Sequence, residues 1–326
     1  MKQFKSITVS APGKLMLLGE HAVVYDRPCL VTAVDQRMST NVHLLKDQVL
    51  KLDAPEVKVS NYQKSLKSLG QDDIPKGAKF VEIAVKNFLK KYPQKEGLQV
   101  QTKSQFSSLF GFGSSSASTV CTIKALSELF NFKLSSKEIF DLSYKTILDI
   151  QAKGSGFDIA AAVFGGTLYF VTGGKKIVPL DADGLNLIVG YSGVKADTVT
   201  MVNIVKEKMA VHKETIDNIF DSIQNLVEDA KIAITQKDWP RLGTLMNNNQ
   251  DYLENLGVST PKLNTMISAA KDAGAYGAKL SGAGGGDCMI TLVSSQDQKK
   301  VAGAITKAGG QVIKIQTNTQ GVKIES

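Results

Sequence analysis

Apolar positions recur along the chain in two periods, and the switches between them lay out the elements. Residues 4–10 (FKSITVS) alternate as a half-buried strand does, and Pro12-Gly13 then interrupts the pattern. A second alternating run covers 39–45. From 45 to 79 the chain is polar and turn-rich, with Pro55, Gly70, Pro75 and Gly77, which predicts surface loops and short elements. Phe80, Ile83, Ala84, Phe88 and Leu89 then make an apolar stripe at helical spacing. Residues 98–102 alternate again. Ala117, Val120, Cys121, Ala125 and Leu129 share one face of a helix predicted over 114–130, and Ser135 with Glu138 opens another in the manner of a capping box.

From Ile159 to Phe170, small and β-branched residues mix with aromatics. The turn Thr172-Gly173-Gly174-Lys175-Lys176, followed by Asp181-Ala182-Asp183-Gly184, is the best place for a domain boundary, and Leu185–Tyr191 starts a fresh apolar strand. Long helical patterns fill 198–236, a glycine-rich stretch ends in the apolar CMITLV, and Val312, Ile313 and Ile315 suggest a last strand. No fixed-period repeat is present. Strands and helices mixed in this order predict two α+β domains, 1–180 and 181–326.

Composition narrows the class. A chain of 326 residues can bury a substantial core in each domain. The longest apolar stretch, 159–171, is interrupted by Gly165-Gly166-Thr167 and is shorter than the roughly 18 to 20 residues of a membrane helix. The N-terminus lacks the apolar core of a secretory signal. Cys29, Cys121 and Cys288 cannot all pair and show no metal-knuckle spacing. These features predict a reduced, soluble, cytoplasmic protein with no membrane partner. Lys and Arg total 39 against 31 Asp and Glu, a net +8. Arginine occurs only at Arg27, Arg37 and Arg241, and the lysines are dispersed, so nucleic acid is not the expected partner.

Four segments carry candidate chemistry. Gly111–Ser118 (GFGSSSAS) puts glycines and hydroxyls at a helix N-terminus, where free N–H groups and the positive dipole end attract anions, phosphate above all. It lacks the Walker lysine and the third glycine of a dinucleotide loop; a plain serine cap after a glycine turn is the simpler alternative. Leu280–Cys288 (LSGAGGGDC) has glycine at 282, 284, 285 and 286, which allows close backbone approach to a ligand, or a tight turn. Ala11–Tyr25 (APGKLMLLGEHAVVY) places Lys14 at a strand start with Glu20 and His21 beyond. Asp158 stands before an apolar stretch, where it is either a helix cap or a general base tuned by a nearby cation such as Lys14.

Together, APGKLMLLGEH, GFGSSSAS and KLSGAGGGDC resemble, in order, the three motifs of the GHMP kinase superfamily (galactokinase, homoserine kinase, mevalonate kinase and phosphomevalonate kinase). The resemblance implies an N-terminal domain like ribosomal protein S5 domain 2, a C-terminal ferredoxin-like domain, and a site between them. GEHAVVY, SGVKADT and the stretch 256–286 look most like mevalonate kinases, whereas Gly154-Ser155-Gly156-Phe157-Asp158 and Asp287 look like phosphomevalonate kinases. The implied activity is ATP- and Mg²⁺-dependent phosphorylation of the 5-hydroxyl of mevalonate. Phosphomevalonate is the alternative acceptor, and a non-catalytic ligand- or nucleic-acid-binding member of the fold the alternative of another class. A homodimer is admissible. By resemblance, Gly111, Phe112, Gly113, Ser114, Ser115, Ser116 and Ala117 wrap the ATP phosphates. Ser115 (or Ser114) reaches Mg²⁺, with Asp149 the nearest acid for a second metal ligand. Asp158 orients or accepts the hydroxyl proton and Lys14 stabilises the migrating phosphoryl group. Glu20, His21, Thr198, Ser281, Gly282, Ala283 and Gly284 line the substrate side.

Overall fold

The structure, a computed structural model, describes residues 6–325; Phe4 and Lys5 of the first predicted strand lie outside the described residues. The first part of the chain forms β1 (Ser6–Leu18), β2 (Cys29–Leu45), β3 (Val49–Ala54), β4 (Val59–Ser65), α1 (Lys79–Lys91), β5 (Gly97–Ser104), α2 (Ser114–Leu129), α3 (Ser136–Gln151), α4 (Phe157–Phe164), β6 (Thr167–Val171) and β7 (Lys176–Leu180). The sheet runs β4-β3-β5-β2-β1, with β6 and β7 added alongside the start of β2. β2 is long enough to serve two neighbours: residues 29–32 pair with β6 and residues 38–45 with β5.

Pro12-Gly13 does not end β1. The strand shifts register there and continues, as a bulge permits, because Leu15, Met16, Leu17 and Leu18 are all core residues. The stretch expected to hold surface loops and short elements contains the β3–β4 hairpin. Leu50, Leu52 and Ala54 alternate into the core, and β3 adds to β5 in parallel. The apolar run from 159 divides in two. α4 is enclosed by α2, α3 and β1, so it needs no polar face. Gly165 and Gly166, both at positive φ, then turn the chain into β6.

The second part contains β8 (Leu187–Tyr191), α5 (Thr198–Val211), α6 (Lys213–Thr235), α7 (Trp239–Asn255), α8 (Pro261–Asp272), β9 (Gly277–Ser281), β10 (Cys288–Leu292), α9 (Gln298–Lys307) and β11 (Gln311–Ile313). Its antiparallel sheet runs β11-β8-β10-β9. Strand, helices, two strands, helix, strand is the ferredoxin-like succession. The chain then returns: Arg37 holds the carbonyls of Gln320 and Gly321, both at 2.8 Å, and β12 (Lys323–Ile324) pairs with β1 in the first sheet. Buried residues of both sheets join in one apolar core, from Val9 to Ile290. β1 and β9 meet beside it, where the Ser281 hydroxyl bonds both backbone groups of Met16, and this sets the glycine loop after β9 beside the end of β1.

Candidate active site

The loop from β5 enters α2 through Gly111 (φ 69°) and Gly113 (φ 81°), the latter capping the helix. Both φ values belong to the left-handed region that glycine adopts without strain. The first-turn N–H groups of α2, at Ser114, Ser115 and Ser116, have no carbonyl one turn before them, and the dipole makes this end positive. The hydroxyls divide by role. Ser118 and Thr119 donate back to the Ser115 carbonyl, while among the described residues those of Ser114 and Ser115 have no partner. Ser116 is buried and donates to Asp158 Oδ2 at 2.5 Å. Phe112 and Ala117 face the core, with Phe112 packed between Phe106 and Phe110, so they anchor the loop through packing.

Lys14 comes to this loop from β1. Its backbone N–H donates to the Phe112 carbonyl at 3.0 Å and its ammonium to the Gly111 carbonyl at 2.8 Å. The ammonium also lies over the Phe157 ring, 5.2 Å from its centroid. Asp158, in the first turn of α4, accepts from the Ile159 N–H at 3.0 Å. Gly113 separates the two: a Cβ there would lie 3.4 Å from Lys14 Cε and 3.7 Å from Asp158 Cβ. Burial lowers the Lys14 pKa, and the carboxylates of Asp158, Asp287 and Glu20 oppose that shift. One cation, one carboxylate and a helix N-terminus therefore converge without any wide separation. Such a set has the chemistry to hold a polyanion and to orient a hydroxyl.

Asp287 enters from the second sheet and was not assigned a role by its motif. Its Oδ1 accepts from the Ala196 N–H at 2.8 Å. Its Oδ2 faces the phosphate loop, because a Cβ on Gly111 would come within 2.7 Å of it. Burial raises the Asp287 pKa, while the Ala196 N–H, Lys14 and Lys195 act the other way.

Several predicted residues lie elsewhere or are already engaged. Asp149 is not brought to Ser115. Its carboxylate takes Lys145 at 2.8 Å and Asn87 at 2.9 Å, on a polar cleft between α1 and α3 that Lys86 also lines. It sits near the far end of α3, and the helical geometry turns it toward α1. Glu20 is 1% exposed, and its two oxygens are taken by Lys279 and Asn249. Ser281 gives its hydroxyl to the Met16 carbonyl and takes the Met16 N–H, both at 3.0 Å. Neither side chain is free for a substrate. His21 is buried against the Ala283 carbonyl at 2.9 Å, and burial lowers its pKa. Thr198 is exposed in the first turn of α5, on the chain that Asp287 ties through Ala196. Gly282 (φ 105°) has open space where a side chain would stand, and Gly284 (φ 81°) packs on the Val258 carbonyl.

The residues that sequence reasoning left out are Phe157 under Lys14, Lys279, Asn249, and Ser116 as the partner of Asp158. Ser116, Lys279 and Phe157 lay inside recognised motifs but without these partners, and Asn249 lay outside them. Phe157, Lys279 and Asn249 pair across more than a hundred residues, and no local pattern announces those pairings.

Family comparison agrees with this geometry. Residues 79–166 match the GHMP kinases N terminal domain and residues 230–311 the GHMP kinases C terminal domain. A mevalonate kinase of Pyrococcus furiosus is 35% identical over 98% of this chain and 98% of its own. The crystal structure of the Methanococcus jannaschii mevalonate kinase superposes with a TM-score of 0.83 at 27% identity, covering 96% of this chain and 98% of that one. A Streptococcus pneumoniae phosphomevalonate kinase shares the fold, with a TM-score of 0.81 at 20% identity over 95% and 99% of the two chains. With matched motifs, matched domains and full-length relatives, the chain belongs to the GHMP kinase family of ATP-dependent kinases.

Proposed function

We propose that this kinase transfers the γ-phosphoryl group of ATP to the 5-hydroxyl of mevalonate. The observation that carries the reading is the convergence of Lys14, Asp158 and the N-terminus of α2 around Gly113. Full-length relatives that carry the name mevalonate kinase support the acceptor. Phosphoryl transfer proceeds through a loose transition state, so positioning and charge stabilisation supply most of the catalysis. The N–H groups of Ser114–Ser116 hold phosphate oxygens, and the Lys14 ammonium, anchored on the Gly111 carbonyl, stands where negative charge gathers. Asp158, fixed by Ser116 and its own helix, receives the acceptor hydroxyl and takes its proton late.

The residues fit a magnesium ion. The hydroxyls of Ser114 and Ser115, without partners among the described residues, stand at the N-terminus of α2, and Mg²⁺ takes oxygen donors and leaves most of its positions to water and substrate phosphates. Ser115 is the residue we assign to it. When bound, Mg²⁺ neutralises phosphate charge. We take 1–180 and 181–326 as the two domains, the reacting groups on the first and the Gly282–Asp287 loop from the second. A net charge of +8 attracts both anionic reactants at long range, in a cytoplasm that supplies ATP.

The test is an ADP-release assay with MgATP and, side by side, mevalonate and phosphomevalonate. Turnover on mevalonate is expected, with Asp158→Asn lower in kcat by roughly 10² to 10⁴, the range of a general base. Turnover on phosphomevalonate alone would replace the acceptor. Near-wild-type turnover of the variant would remove Asp158 from its role.

A further inference from the structure

We propose that Glu20 and Lys279 form a positioning pair: an ion pair enclosed between the two sheets that holds the end of β1, and with it the Lys14 strand, against the glycine loop after β9. Neither residue touches substrate. The proposal rests on the kinase reading above only for its turnover readout.

The two side chains are 0% exposed. Glu20 lies two residues past β1, and Lys279 is the middle residue of β9. The second Glu20 oxygen accepts from Asn249 of α7 at 3.2 Å, and the Lys279 ammonium also donates to the Leu280 carbonyl at 2.5 Å. Enclosing two ions is expensive, and well-packed apolar residues of similar volume serve stability as well or better. The pair therefore contributes something other than stability, and its neighbours show what. Close by, the Ser281 hydroxyl grips both backbone groups of Met16, and His21 Nε2 meets the Ala283 carbonyl. Three ties thus join β1 and the residues just after it to β9 and its loop.

The backbone between them is held in an unusual shape. His21 sits at φ 58°, ψ −50°, and the Ala22 N–H donates to the Glu20 carbonyl at 2.7 Å, which makes a γ-turn of the rare, strained hand. Such a conformation persists only where the surroundings over-determine it. The Glu20 pair and the His21 contact do so from either side. Gly19 leaves no slack, since a Cβ there would come within 2.5 Å of Cys29 Cβ. Beyond Ala283 the loop runs on to Asp287, whose Oδ2 faces Gly111, the residue that receives the Lys14 ammonium. A shift at the pair therefore moves both walls of the site at once.

The experiment compares wild type, Glu20→Gln, Lys279→Met and the double variant in the full chain. It measures thermal unfolding, ADP affinity, and kcat and KM on the acceptor that wild type turns over. Each single variant strands one enclosed ion, so Tm falls by about 10 °C. In the double variant both ions are gone and Tm recovers most of the loss. Turnover does not: kcat stays roughly 10- to 100-fold low in all three, the cost of about an ångström of misplacement. Tm and kcat recovering together in the double variant would make the pair merely structural and overturn the proposal. So would a rise in acceptor KM confined to Glu20→Gln, with Lys279→Met at wild-type turnover, because Glu20 would then be a substrate ligand. Should the single variants not fold, Asn249→Ala keeps both ions and loosens only the Glu20 side. A kcat loss of a few fold then supports the proposal, and an unchanged kcat overturns it. Unfolding and ADP binding need no acceptor, so a wrong acceptor assignment shows as absent wild-type turnover and stays distinguishable.

Discussion

Lys14→Met is the sharpest perturbation of the site, because it deletes one charge and leaves a side chain of similar length. Lys14 is 8% exposed, its stem lies beside Gly113, and its ammonium is held on the Gly111 carbonyl and over the Phe157 ring. Methionine keeps most of that packing. A unit charge at about 4 Å from the migrating phosphoryl group, in surroundings with an effective dielectric constant near 20, contributes about 4 kcal/mol. Each 1.4 kcal/mol is roughly tenfold in rate, so kcat should fall by about 10³. KM for ATP should change far less, because the N–H groups of α2 hold the phosphates in the ground state as well. The assay is ADP release under saturating MgATP, with circular dichroism and thermal unfolding to show that the variant is folded. A folded variant with less than a tenfold loss in kcat would refute the reasoning, since the charge would then not face the reacting group.

Three further outcomes follow from the same geometry. Ser116→Ala removes a hydrogen bond to a carboxylate, and kcat should fall roughly tenfold with KM for ATP nearly unchanged; a change in KM alone would place Ser116 on the nucleotide instead. Gly111→Ala puts a Cβ at φ 69° and within 2.7 Å of Asp287 Oδ2, which costs about 1 to 2 kcal/mol in backbone strain alone, so KM for ATP should rise about tenfold and Tm should drop by a few degrees. Asp287→Asn removes one of the carboxylates that help Lys14 keep its proton against burial. Its pKa then falls further, and the alkaline limb of the kcat–pH profile moves to lower pH; a limb that stays in place or moves up contradicts this.

Part of the molecule was legible before folding. α1, α2 and α3 follow from apolar stripes and a capping box that needs only Ser135 and Glu138, and α2 begins where its glycines and serines place it. Cys121 was expected as a small residue on the apolar face of that helix, and it is fully buried with its thiol on the Met38 carbonyl. Two stretches depart from expectation for one reason. The turn residues of 45–79 predict short elements on the surface and Pro12-Gly13 a break in the strand, yet burial of Leu50, Leu52 and Leu15 carries strands into the core. Tertiary packing overrode local propensity at both places.

The site divides along the same line. Phosphate loop, Lys14 and Asp158 stood out in the sequence because each depends on residue type within a few positions: glycine for left-handed backbone, a helix start for N–H groups, a charge beside an apolar run. Whether a given polar side chain is free for a ligand depends on partners that distance along the chain hides. Ser116 meets Asp158 across 42 residues, Lys14 meets the Gly111 carbonyl across 97, and Glu20 meets Lys279 across 259. Glu20 and Ser281 read as substrate ligands until folding enclosed them on Lys279, Asn249 and Met16, and Asp149 read as a metal ligand until α3 turned it toward Asn87. Local chemistry thus announced which groups could react. Only the folded chain, in which most enclosed polar atoms find a partner, assigned them to the site or to the frame around it.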